Sequence, residues 1–178
     1  MKLINPLIIL RILSTILLIE SFTFLICIPV ALIYNEPLKP FLYSFLITFF
    51  LYLNFRLSSL KADIEKSGSR DGYITVSMAW ILVSAFGALP YLISGAIPGV
   101  VNAFFESASG FSTTGASILT DVESLPMSIL FWRSLTHWVG GLGIIVLVII
   151  ILPSLRISGY QLFSLESSMK EKIHPKTR

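Results

Sequence analysis

Cysteine occurs once in the 178 residues, at Cys27. That excludes an intrachain disulfide and a thiolate metal cluster, and leaves the thiol as an apolar filler. Charge is scarce as well: charged residues make up 13% of the chain and hydrophobic ones 54%, a balance outside the range of soluble domains and typical of membrane proteins. The formal net charge of +3 is scattered through short loops and a tail. No basic face interleaves with aromatics, which argues against nucleic acid as a partner. No small-residue cleavage site follows the first apolar run, so this run reads as a retained membrane helix and not a removed signal peptide. No nucleophile and base stand at a spacing that would bring them to one face. An intramembrane enzyme using Glu20, Glu106 or His137 is therefore disfavoured, and no cofactor is expected.

What remains is a series of apolar runs. The stretch from Leu7 to Tyr34 exceeds the roughly 20 residues needed to cross the hydrocarbon core, with Pro29 near its far end. Glu20 lies near its middle. It is either a functional intramembrane carboxylate or one that hydrogen-bonds within the bundle, beside Ser21 and Thr23. After the turn Asn35-Glu36-Pro37, Leu38 to Leu57 supplies a second crossing and completes a hairpin. From Arg56 to Asp71 the chain turns charged, with Arg56, Lys61, Lys66 and Arg70 against Asp63, Glu65 and Asp71. The basic excess marks this loop as cytoplasmic. Tyr73 to Ile93 is a third crossing, with a bend allowed at Gly87 and Pro90.

The segment from Phe104 to Ser117, FFESASGFSTTGAS, is too polar to span a bilayer and too apolar for a surface loop. Irregular backbone at membrane depth is tolerated only inside protein or along a water-filled cavity, so the segment reads as a re-entrant pore loop. Asn102 is expected to cap a short helix running to about Gly110. Ser112 to Gly115 would follow in extended form, offering carbonyls and hydroxyls in place of a cation's water, with the negative end of the helix dipole directed at the ion. Asp121 and Glu123 flank this mouth. Ser124-Leu125-Pro126 reads as the start of a last helix that runs to Leu152 and stops at Pro153. Within it, Gly140-Gly141-Leu142-Gly143 fits either close helix packing or a locally unwound pore constriction. Glu106 and Arg133, at similar depth in apolar surroundings, are expected to form a buried ion pair. Gly159 to Arg178 reads as an interfacial cytoplasmic segment in contact with lipid. Of the 13 Lys and Arg residues, only Lys39 and Arg133 fall on or near the outer side, so both termini are expected in the cytoplasm.

Several of these segments, in this order, resemble one family. Ser69-Arg70-Asp71-Gly72-Tyr73, Gly87-Ala88-Leu89-Pro90, Phe104-Phe105-Glu106-Ser107, Thr113-Thr114-Gly115 and the run from Phe131 to Ile144, FWRSLTHWVGGLGI, are similar to the first part of Trk/Ktr-type potassium uptake proteins. Leu7 to Leu57 resembles the extra amino-terminal helix pair of the Trk branch. The resemblance implies an all-α membrane protein of the potassium-channel-like class, in which four helix, pore-loop, helix repeats surround one pore. It divides the chain into a hairpin (1–57), a cytoplasmic loop (58–72), the first repeat (73–153) and a tail or linker to a second repeat (154–178).

The same resemblance implies potassium transport in the cell's inner (plasma) membrane. Ser112, Thr113, Thr114 and Gly115 would be the filter positions, with Glu106, Arg133, Gly140 and Gly141 supporting them. In that family a serine at the position of Gly115 is associated with sodium permeation. The partners implied are the remaining pore repeats of a full-length chain, a second copy in a homodimer, and a cytosolic nucleotide-binding regulatory ring. On this reading the chain is an amino-terminal fragment of a longer transporter. The competing reading is a non-transporting membrane scaffold or regulatory subunit.

Overall fold

The computed structural model describes residues 5–62 and 68–154, and the side chains of these except 69 and 147–154. All regular structure among the described residues is helical: α1 (Pro6–Ile26), α2 (Ile28–Ile33), α3 (Lys39–Ser58), α4 (Ser69–Gly87), α5 (Leu89–Ser94), α6 (Val100–Phe111) and α7 (Met127–Ser154). Four stretches are long and apolar enough to cross a membrane: Pro6–Ile33, Lys39–Ser58, Arg70–Ser94 and Met127–Val146. The chain divides into two compact units, Met1–Gly141 and Leu142–Arg178. The described part of the second is the aliphatic end of α7. The interfacial tail expected over Gly159 to Arg178 lies outside the described residues, as do Asp63, Glu65 and Lys66 of the charged loop.

Proline chemistry explains two breaks. Pro29 and Pro90 lack the N–H that would reach back four residues, to Leu25 and Phe86, so the first and third crossings each divide three residues or fewer before the proline. The first divides at Cys27 and the third at Ala88. The bend expected at Gly87 and Pro90 is thus a break between two helices. α4 begins at Ser69, four residues before the expected start at Tyr73. The buried carboxylate of Asp71 accounts for this, since it accepts the Gly68 N–H at 3.0 Å and caps the first turn. It also accepts the Asn5 N–H at 3.0 Å, tying the start of α1 to the start of α4.

α1 packs against α3 and α4, α3 against α5, and α4 against α6. Phe22 meets Phe45 across the hairpin with ring centroids 6.2 Å apart. Trp132 of α7 lies 4.7 Å from Phe24 of α1 and 6.3 Å from Phe111 of α6, so one indole joins the hairpin to the re-entrant helix. Its N–H donates to the Gly87 carbonyl at 3.0 Å, in the α4–α5 break. α1 and α3 also carry exposed Ile19, Ile26, Leu46, Ile47 and Phe50, a surface suited to lipid.

Two expectations need correction here. Glu20 is buried, yet neither carboxylate oxygen has a hydrogen-bond partner among the described residues. Ser21 and Thr23 donate to the carbonyls of Leu18 and Glu20 in their own helix, which leaves them no proton for the carboxylate. α7 begins at Met127, after the Ser124-Leu125-Pro126 start that was expected, and the Ser124 hydroxyl donates to the Asp121 carbonyl. The end also shifts, since the helix includes Pro153 and closes at Ser154.

Trp132→Phe keeps an aromatic ring beside Phe24 but strands the Gly87 carbonyl in the core. We expect a loss of about 1–3 kcal/mol, measured by thermal or denaturant unfolding of the purified protein in detergent. A change below about 0.5 kcal/mol, the range of an inconsequential surface substitution, would show that this bond is not a fastening of the fold.

Candidate functional site

The N-cap position of the re-entrant helix α6 is Gly99, not the expected Asn102. Gly99 takes φ +94°, and the Asn102 amide lies inside the first turn, where it donates to the Pro98 carbonyl at 3.4 Å. Its buried face carries Ala103, Glu106, Ser107, Ser109, Gly110 and Phe111. The other face, with Phe104 and Phe105, is exposed.

The helix ends in a Schellman cap. The Thr113 N–H donates to the Gly110 carbonyl at 2.9 Å and the Thr114 N–H to the Ser109 carbonyl at 3.0 Å, satisfying acceptors that the helix end would leave open. This geometry needs a left-handed residue at the position of Thr113, and its φ is +56°. A β-branched residue there is uncommon and strained. Ser112 to Gly115 is therefore not the simple extended strand expected. Ser112 is right-handed, Thr113 left-handed, and Gly115 again positive at φ +76°. All four residues are exposed. The Ser112 and Thr114 hydroxyls lie 2.8 Å apart.

Both sides of this segment are fastened. Ser109 donates to the Ala116 carbonyl at 2.6 Å, closing the loop on its own helix. The Glu106 carboxylate, 1% exposed, accepts the Ser117 hydroxyl at 3.0 Å on each oxygen, the Ile118 N–H at 3.2 Å and the Arg133 Nε–H at 2.8 Å. The expected pair of Glu106 with Arg133 is thus present, and it belongs to a larger hub that also holds the limb after Gly115. His137, one turn past Arg133, donates from Nδ1 to the Arg133 carbonyl at 2.9 Å.

From the other side, α7 presses on the end of α6. A Cβ at Gly140 would overlap the Phe111 backbone carbonyl, whereas one at Gly141 would stand 3.8 Å from the nearest atom, the Thr113 methyl. α7 stays helical through Gly140-Gly141-Leu142-Gly143. The motif is thus not unwound, and Gly140 packs closely on α6. The same approach recurs at Gly87, where a Cβ would lie 2.6 Å from the Ser107 hydroxyl, and at Gly110, where it would overlap the Thr136 hydroxyl. An open cleft of about 430 Å³ runs beside the segment, lined by Trp80, Ile81, Ser84, Phe104, Phe105, Ser109, Ser112 and Thr114 among others.

Sequence reasoning did not find the roles of Ser109, Ser117 and Glu36. The first two were visible only as members of a hydroxyl-rich stretch. Glu36, in the hairpin turn, accepts the Met127 N–H at 2.7 Å and the Ser128 N–H at 2.9 Å, and also the Ser128 hydroxyl. It is the cap that the start of α7 lacks locally.

Two measurements test this geometry. Gly140→Ala is expected to cost about 1–3 kcal/mol, because a backbone carbonyl cannot move aside as a side chain can. Gly141→Ala should be neutral or stabilising by up to about 1 kcal/mol through helix propensity. Equal effects of the two in thermal unfolding would remove the close approach. For the ion pair, a double-mutant cycle of Glu106→Gln and Arg133→Gln should give a coupling of roughly 1 kcal/mol or more, and additive losses would mean the pair contributes nothing.

Comparison with known proteins places the chain in context. A family model described as TrkH, cation transport protein, matches residues 40–178. The Trk system potassium uptake protein TrkH of Escherichia coli strain K12 is 39% identical over 161 residues, covering 88% of this chain and 32% of that protein. TrkG of the same strain is 40% identical over 139 residues, covering 77% and 28%. The crystal structure of the potassium transporter TrkH from Vibrio parahaemolyticus superposes with a TM-score of 0.78 at 36% identity, covering 88% of this chain and 34% of that one. The chain spans about a third of the length of these curated relatives.

Proposed function

Because the chain belongs to the TrkH family of cation transport proteins, we propose that it forms part of a potassium uptake protein in which Ser112, Thr113, Thr114 and Gly115 line one side of the selectivity filter. The observation that carries this reading is the backbone of that segment, exposed, fastened at both ends and with positive φ at Thr113 and Gly115. Left-handed residues interrupt the alternation that would turn successive carbonyls to opposite sides of a strand, so oxygens gather toward one ion. Potassium exchanges its water for such carbonyls. The end of the α6 dipole adds negative potential at the same place.

One loop covers one side of an ion. Since the chain spans about a third of its relatives, we assign the other sides to further pore repeats of the full-length protein. Exposed Phe104 and Phe105 and the adjoining cleft supply apolar surface for them. In this reading 1–57 is the hairpin, 58–72 a cytoplasmic loop, 73–153 the first repeat and 154–178 the linker. The basic residues keep the termini in the cytoplasm, and residence in the inner (plasma) membrane follows from the family resemblance. A homodimer with a cytosolic nucleotide-binding ring follows from the family resemblance. The chemistry is translocation, not catalysis, and potassium is the substrate.

Gly115→Ser tests the filter. Nothing lies within 4 Å of a Cβ built at Gly115, so a substitution there meets no packing obstacle and is strained only through its positive φ. In the full-length protein we expect normal abundance in the membrane and a lower ratio of potassium to sodium uptake. An unchanged ratio at normal abundance would remove Gly115 from the filter.

A further inference from the structure

The start of α7 has no cap of its own. Its first N–H groups lack intrahelical acceptors, Ser124 donates elsewhere, and Pro126 contributes only its carbonyl, to Ile129 and Leu130. The acceptor comes from 91 residues earlier, where the Glu36 carboxylate takes the Met127 and Ser128 N–H groups and the Ser128 hydroxyl. Glu36 is itself held, since its own N–H donates to the Ala31 carbonyl at 2.8 Å and Asn35 before it turns through φ +53°. Partial burial pushes its pKa up, but the Ser128 hydroxyl and the two N–H groups outweigh that and hold the carboxyl below its ordinary value. It is therefore an anion at neutral pH, the charge that a helix N-terminus favours.

From Ser128, five residues of helix, about 7.5 Å, lead to Arg133, whose Nε–H meets Glu106 at 2.8 Å. Glu106 in turn holds Ser117 and Ile118, just past Gly115. We propose that Glu36 is a positioning residue for the pore loop: it fixes the first turn of α7 and so the height at which Arg133 holds Glu106 and the limb after Gly115. The hairpin is then a clamp on the pore loop and not only a membrane anchor. Ile129 and Trp132 hold the second turn of α7 in the core, and the carboxylate adds a fixed point at the outermost residues, where a helix end otherwise frays.

The ion-ratio arm of the test rests on the filter reading, and the exchange arm does not. In the full-length protein in detergent, Glu36→Gln loses one acceptor oxygen and the charge. Backbone hydrogen exchange should then accelerate at Met127–Ser128 and also at Ile118, whose N–H Glu106 accepts, by about fivefold, the scale of a lost N-cap. Glu36→Asp, which retains the charge, should restore part of the protection. Acceleration confined to 127–130, or none, would overturn the proposal, because the effect would then end at the cap. Where Glu36→Gln does not accumulate, Ser128→Ala removes only the hydroxyl donor and should show the same pattern more weakly. In cells, the potassium to sodium uptake ratio should fall in Glu36→Gln at normal abundance. If Gly115→Ser shifts the ratio and Glu36→Gln does not, the positioning role fails and the filter stands. If neither shifts it while exchange at Ile118 accelerates, the filter reading fails and the mechanical link survives.

Discussion

A carboxylate taken out of water needs donors on its oxygens, and the pore loop is arranged around meeting that need for Glu106. Its burial would be costly for an unpartnered charge. Arg133 supplies the opposite charge, while the Ser117 hydroxyl and the Ile118 N–H occupy the remaining acceptor positions. The donors come from two pieces of chain, the returning limb and α7, so satisfying one carboxylate on α6 brings all three together. Moving any of the three leaves a buried charge short of partners. This gives the limb after Gly115 a defined place although it forms no regular structure.

Around that hub the helices meet at glycine. Gly87, Gly110 and Gly140 stand where α4, α6 and α7 approach more closely than a Cβ permits. The contacts of Gly140 are with the Phe111 backbone, at the last turn of α6, two residues before the strained Thr113. The close approach and the Schellman cap act on the same few residues. Together they hold a β-branched residue in a conformation it adopts reluctantly. Dispersion over such contacts is small for each atom pair and adds up over a helix face, which suits a protein whose outer surface gains little from further burial in lipid.

The hairpin is integrated into this arrangement at three levels. Asp71 ties Asn5 to the start of α4, Trp132 sits between Phe24 and Phe111, and Glu36 caps α7. These contacts are distributed along the length of α1 and its turn, so the hairpin cannot shift as a unit without disturbing the pore loop. Glu20 stands apart, buried and without a hydrogen-bond partner among the described residues.

The sequence by itself determined the membrane class, the number of crossings, the re-entrant segment and the pairing of Glu106 with Arg133. These follow from composition, from apolar length and from the cost of a buried charge, all properties of residues taken singly or in runs. Pro29 and Pro90 likewise mark their breaks locally, because a missing N–H acts within four residues. Tertiary structure alone decided where α6 and α7 begin, how the segment from Ser112 to Gly115 is shaped and which of the two adjacent glycines of α7 has no room for a Cβ. A helix start is set by whichever acceptor reaches its open N–H groups, and for α7 that acceptor is Glu36, far away in the chain. The expectation for Asn102 failed for a related reason, since the chain had already turned into the helix at Gly99. Thr113 is left-handed because neighbouring carbonyls require it, against its own preference. Gly140 and Gly141 are identical in sequence, and only the helix lying opposite distinguishes them.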